Sequence, residues 1–208
     1  MTNAAEAAAR EIAEVLLHVG AVIINAKDLF TYASGVRSPI YCDNRLLISH
    51  PGARRLVTEK LAGLVADIDC DVVAGTATAG IPWAAWVADR LVRPMVYVRD
   101  APKGHGRQLR VEGVIEPGQR AVVIEDLVTT GGSAISSVEG LREAGAEVSD
   151  TVTIFTYESP KASQALAAAG VQLTALSGVA TLLYVATSTG RISPADADVV
   201  RDWHTALG

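Results

Sequence analysis

The sequence predicts an α/β protein, a mainly parallel twisted sheet with helices on both faces and a small hood near the N-terminus. Three observations carry this. Short runs dominated by apolar residues recur at 71–74, 95–98 and 122–124, with a return strand through 148–155, which is the pattern of a mainly parallel sheet covered on both faces. Segments with apolar residues three and four apart lie between them, so strand and helix alternate. Loops of small or Gly-rich sequence join the first and third of these runs to the helices that follow.

In chain order, residues 4–19 place Ile12, Val15, Leu16 and Val19 at helical spacing and stop at Gly20. The apolar run 21–24 follows, and then 30–45, where alternation is short and turn residues are frequent; it reads as a hairpin or irregular cap, and residues 20–45 form the hood. Ser49 and Pro51 open a second helix with Val57, Leu61, Leu64 and Val65 on one face. A strand at 71–74, a loop at 75–80, a helix at 81–92 and a strand at 95–98 make one βαβ unit. The run at 122–124 starts another, returning through 148–155. The tail reads as helical at 161–169, 179–185 and 194–206, with a short apolar stretch at 171–176. No linker rich in Pro, Gly or Ser divides the chain, so residues 1–208 are expected to form one domain.

Half of the residues are hydrophobic and a fifth are charged, with a net charge of -5. That balance argues against nucleic acid as the main partner, because phosphate backbones demand clustered Lys and Arg. No apolar stretch reaches membrane-spanning length and residues 2–14 are unlike a signal peptide, so a cytoplasmic protein is expected. Cys42 and Cys70 have neither CxxC spacing nor nearby His, which argues against a disulfide framework and a zinc site.

The chemistry is concentrated in 122–133. An apolar strand ends in Glu125 and Asp126, and then comes a Thr/Gly loop, with Ser133 in an N-cap position ahead of Ile135, Val138 and Leu141. A Gly-rich turn feeding a helix presents backbone N–H groups to an anion, so a phosphate should sit on Thr129, Thr130, Gly131, Gly132 and Ser133. Two bare acids beside a phosphate repel it, unless the same ligand carries hydroxyls that donate to a carboxylate, or a divalent cation. A sugar phosphate with vicinal hydroxyls satisfies both conditions. The plain alternative is a polar strand-to-helix turn with capping Thr and Ser. Residues 75–80 form a second small-residue loop. Ile81 and Pro82 stand where a nucleotide-binding P-loop needs Lys and Ser/Thr, and no third glycine completes a dinucleotide fingerprint. Tight helix–strand packing explains that loop about as well. Segment 99–110 sets Arg99, Lys103, Arg107 and Arg110 against Asp100, with Gly104 and Gly106 as hinges. It suits closure over a polyphosphate, although charged loops are usually just solvated.

Segment 122–133 resembles the signature of the type I phosphoribosyltransferases. Taken with 30–35, 38–45, 75–83, 99–106 and 154–157, the chain resembles the orotate phosphoribosyltransferases along nearly its whole length. The resemblance implies transfer of phosphoribosyl from phosphoribosyl pyrophosphate to orotate, with Mg2+, in pyrimidine biosynthesis. It implies that Glu125 and Asp126 hold the ribose hydroxyls, with Asp126 near C1' and near the Mg2+, which is bound mainly through the substrate. Leu127, Val128 and 129–133 would serve the 5'-phosphate, and Thr76, Ala77 and Thr78 the pyrophosphate. Arg99, Lys103 and His105 would neutralise the leaving pyrophosphate, with Lys103, His105 and Asp126 as the catalytic residues. Thr129, Tyr41, Arg45 and Tyr157 are expected at the orotate. A homodimer with a shared active-site loop is also implied. The chain departs from the family pattern at Ala33, Ala79 and Asp100, where basic residues are usual, and at Tyr157, where an orotate-binding Arg is usual. Arg45 is the candidate replacement for the carboxylate, because guanidinium matches it bidentately, and a surface ion pair is the alternative. The competing functions are transfer to another base, and a regulator of the same fold that senses phosphoribosyl pyrophosphate. Against the second stand Lys103 and His105, which a sensor does not need.

Overall fold

The computed structural model describes residues 3–32, 35–100 and 110–206. Expectations for Ala33, Lys103 and His105 lie outside the described residues. Helix α1 (Asn3–His18) buries the stripe Ala9, Ile12, Ala13 and Leu16, and Gly20 follows it with φ +72°. The hood comprises four short strands, β1 (Val22–Ile24), β2 (Phe30–Thr31), β3 (Arg37–Ser38) and β4 (Ile40–Cys42). β1 pairs antiparallel with β4, and β2 with β3, so the hood is two ribbons separate from the main sheet. A 3-10 turn over Asn44–Ser49 leads into α2 (Pro51–Ala66), which starts on a proline whose missing N–H costs nothing there.

The main sheet contains β5 (Val72–Thr76), β6 (Met95–Val98), β7 (Val111–Glu112), β8 (Arg120–Val128), β9 (Glu147–Thr156) and β10 (Gln172–Gly178). Their spatial order is β10-β9-β8-β5-β6-β7, parallel throughout except for β7, which runs antiparallel on one edge. The helices between and after them are α3 (Gly80–Leu91), α4 (Gly132–Glu143), α5 (Pro160–Ala168), α6 (Val179–Ser188) and α7 (Pro194–Thr205). Side chains alternate across each strand. Val73, Val122, Ile124, Val152 and Ile154 pack with α1, α2, α3, α6 and α7. Val72, Ala74, Val96, Val98 and Val123 pack with α4 and α5. The uninterrupted apolar runs of the sequence are therefore strands covered on both sides. No described helix is long and apolar enough to cross a membrane.

Topology creates the site. β5 leads into α3 on one face and its neighbour β8 leads into α4 on the other, so the two outgoing loops diverge. A crevice opens between them at the carboxyl end of the sheet, where ligands collect in open α/β folds. Gly80 lets α3 approach closely, since a Cβ there would collide with the Ile124 carbonyl oxygen.

Candidate active site

The two acids of β8 turn different ways. Glu125 reaches Ser133 of α4, and Asp126 lies beside Cys42 and Arg45 of the hood. Glu125 is 4% exposed; its Oε2 accepts from Ser133 Oγ at 2.8 Å and its Oε1 from the Asp126 N–H at 3.1 Å. Burial, followed by the neighbouring Asp126 charge, pushes the Glu125 carboxyl up to about 8. Burial raises Asp126 as well. The structure thus stores two carboxyls in a place where full ionisation is unfavourable until something positive, or something that donates hydrogen bonds, arrives.

The loop after β8 differs from expectation in one respect. The N-cap of α4 is Gly131, at φ +82°, with no side-chain cap, and Ser133 already lies inside the helix. A residue inside the first turn cannot cap it, and the Ser133 hydroxyl turns back to Glu125 instead. The uncapped N–H groups at the start of α4 remain an anion-binding arrangement, with Thr129, Thr130, Gly132 and Ser133 exposed around it. Leu127 and Val128 offer this region only their backbone, because Leu127 packs against the core and Val128 is buried. On the other side of the crevice, Thr76 ends β5 with a buried hydroxyl that finds no partner, Ala77 N–H donates to Val98 O at 2.9 Å, and Thr78 is exposed. Ala79 carries only a methyl group, so main chain and hydroxyls are the donors here.

The described base of the basic segment is anchored. Arg99 N–H donates to Arg110 O at 2.9 Å, and the Arg99 guanidinium lies 3.5 Å from Glu112. Arg110 donates to Arg99 O and to Ser136 Oγ of α4, at 2.9 and 2.7 Å. The stem of the basic segment is therefore tied to the helix that carries the phosphate loop.

The hood closes the carboxyl end of β8 and β9. Tyr157, 2% exposed, shares a hydrogen bond with the Tyr32 hydroxyl at 2.8 Å, and Tyr32 also reaches Ile40 O at 2.7 Å and Ser38 Oγ at 3.1 Å. Burial holds the Tyr157 hydroxyl neutral. From α7, His204 Nε2 donates to Tyr157 O at 2.5 Å and Trp203 Nε1 to Arg37 O at 2.9 Å. Tyr41 is 39% exposed on the hood, its ring 5.6 Å from that of Phe30. Arg45 grips Asp43 bidentately, at 2.6 and 2.7 Å, which holds Asp43 below the usual carboxylate range. Sequence reasoning gave no role to Asn44, Tyr32 or Ser38. Each of them acts through a contact with residues distant in the chain or across a hairpin, which composition and spacing do not encode.

Among the described residues no group of three or more His, Cys, Asp or Glu converges to hold a metal. Mg2+ does not need such a cage, since it takes one or two carboxylates and completes its shell with substrate phosphates and water. Buried Glu125 and half-buried Asp126, both raised, fit that donor set.

This is the architecture of a sugar-phosphate-binding transferase. Residues 47–171 match the family model described as phosphoribosyl transferase domain, and the chain belongs to that family. Orotate phosphoribosyltransferases are among the proteins the chain is similar to over most of its length. The orotate phosphoribosyltransferase of Bacillus cytotoxicus is 50% identical over 93% of this chain and 93% of its own. The crystal structure of orotate phosphoribosyltransferase from Aeropyrum pernix superposes with a TM-score of 0.75 at 34% identity, covering 88% of this chain and 99% of that one. UMP synthase of Leishmania donovani gives a TM-score of 0.81 at 29% identity, covering 95% of this chain but only 42% of that longer chain.

Proposed function

We propose that the crevice between β5 and β8 binds phosphoribosyl pyrophosphate and that the hood holds orotate against its C1'. The protein is an orotate phosphoribosyltransferase, forming orotidine 5'-monophosphate and pyrophosphate in pyrimidine biosynthesis. The observation that carries the site assignment is the adjacent pair of buried Glu125 and half-buried Asp126, followed one short loop later by a helix N-terminus with no side-chain cap. The ribose hydroxyls donate to the two carboxylates, and the 5'-phosphate accepts from the backbone and hydroxyls of 129–133. Pyrophosphate lies along Thr76, Ala77 and Thr78, with Arg99, Lys103 and His105 neutralising it as it leaves.

Transfer at an anomeric carbon through a loose transition state needs no protein nucleophile. What it needs is orientation, together with charge stabilisation at both ends. Asp126, on the hood side of β8, meets the positive charge that develops at C1', and orotate attacks from beneath the hood. Asp126, together with the substrate's own phosphates, would hold Mg2+, which would supply charge neutralisation of the pyrophosphate. Tyr157 acts by fixing Tyr32 and the hood, since its own hydroxyl is engaged there, while Tyr41 and Thr129 contact the base. Residues 1–208 act as one domain in the cytoplasm, as a homodimer in which the basic segment of one chain serves the site of the other. Orotate absorbance should fall only when phosphoribosyl pyrophosphate and Mg2+ are both present. Turnover of adenine or uracil, with none of orotate, would overturn the substrate assignment.

A further inference from the structure

Asn44 is completely buried although polar, and it joins two parts of the protein that are far apart in sequence. Its Nδ2 donates to the main-chain oxygen of Asp126 at 2.7 Å, while its Oδ1 lies 3.4 Å from the Cys42 sulfur that ends β4. The place of this bond in the sheet gives it leverage. Pairing of β8 with β5 stops at Gly75 and Ile124, whereas pairing with β9 continues to Val128. Asp126 therefore lies where β8 has lost one strand neighbour, and the Asn44 amide meets its peptide there. On the hood side Asn44 is equally fixed. Asp43 N–H donates to Ala21 O at 2.7 Å, and the Asp43 carboxylate accepts from Arg45 N–H at 3.1 Å at the start of the 3-10 turn. A shift of β4 must move Asn44, and with it the peptide from which the Asp126 carboxylate projects.

We infer that Asn44 is a positioning residue that couples the base site under the hood to the sugar-phosphate site at Glu125 and Asp126, so that filling one tightens the other. This rests on the site assignment above. With the 5'-phosphate on 129–133 and the hydroxyls on the acids, C1' projects toward the hood, and the acceptor base must press on the ribbon that carries Asn44. A buried amide that merely satisfied its neighbours would affect stability and leave the two sites independent.

The test uses ribose 5-phosphate, which lacks the leaving group, so that it and orotate can occupy the full-length protein together without reacting. Its affinity is measured by calorimetry with and without saturating orotate. The wild type should bind it about 5-fold or more tightly when orotate is present, the lower end of ordinary site coupling. Asn44→Ala, and Asn44→Asp, which keeps the shape but loses the donor, should bring that ratio close to one while ribose 5-phosphate alone binds within about threefold of wild type. A ratio near one in the wild type, or an unchanged ratio in folded variants, overturns the coupling. If neither variant folds, hydrogen exchange on the wild type decides. Orotate alone should slow exchange at 125–128, and no change there overturns the inference. Ribose 5-phosphate binding that is equally tight in wild type, Asp126→Asn and Glu125→Gln would instead remove the site assignment, and the coupling with it.

Discussion

Replacing Glu125 by Gln should flatten the pH dependence of stability in the protein without ligands. In the folded protein the Glu125 carboxyl is held up at about 8 against an ordinary value of 4.5, by burial first and by Asp126 second. Between these values the unfolded chain has lost a proton that the folded chain keeps. Stability from this group is thus complete at low pH and is lost as pH rises toward 8, at up to about 1.4 kcal/mol per pH unit. The hydrogen bond from Ser133 works the other way by favouring the charged form, which shortens the pH window at its upper end without reversing the sign. Urea unfolding of wild type and Glu125→Gln at about pH 5, 6, 7 and 8 reads the difference directly. Wild type should weaken relative to the variant by on the order of 1 kcal/mol per pH unit across that window. Parallel curves would mean that Glu125 is already ionised in the empty site, and the argument that the site waits for a cation or hydroxyl donors would fail.

Gly80→Ala should destabilise the protein by about 1–3 kcal/mol and impair turnover, because the new Cβ meets the Ile124 carbonyl and must push α3 away from β8 beside the acids; thermal unfolding and activity are measured together. Arg45→Ala should raise the Michaelis constant for orotate more than that for the sugar donor, a charge-assisted hydrogen bond contributing about 1.5–3 kcal/mol. If the orotate constant is unchanged, Arg45 serves only its ion pair with Asp43. For loop sharing, inactive Lys103→Ala and Asp126→Asn chains carrying different tags are unfolded, mixed and refolded. About a quarter of wild-type activity should return, because half of the dimers are mixed and each of these has one intact site. No return of activity in confirmed mixed dimers would place the loop over its own chain's site.

The large sheet was legible because β5 and β8 are buried on both faces, so that Val72 to Ala74 and Val122 to Ile124 read as unbroken apolar runs, while β9 shows Val152, Ile154 and Phe155 broken only by a buried Thr153. The acid pair was legible because two charges ending such a run have no packing explanation. Their separate surroundings, α4 for Glu125 and the hood for Asp126, were not legible, because strand alternation does not continue past the acids: Leu127 packs in the layer of Ile124 and Val128 in that of Val123. Three other features were out of reach. The cap of α4 at Gly131 depends on a left-handed backbone that a Thr-Thr-Gly-Gly-Ser string permits at either glycine. The engagement of Tyr157 by Tyr32 joins residues that only the folded hood brings together. The grip of Arg45 on Asp43 was one of two readings of the same motif, and local sequence holds nothing that separates an ion pair from a ligand contact.

The central claim is that Glu125 and Asp126 hold the ribose at which phosphoribosyl transfer occurs. Its most direct test is the rate of orotate consumption by Asp126→Asn beside wild type, at saturating phosphoribosyl pyrophosphate and Mg2+. The substitution keeps size but turns one acceptor oxygen into a donor and removes the charge facing C1', and turnover should fall about 100-fold or more. Wild-type turnover by this variant would contradict the claim and leave the acid pair a structural feature of β8.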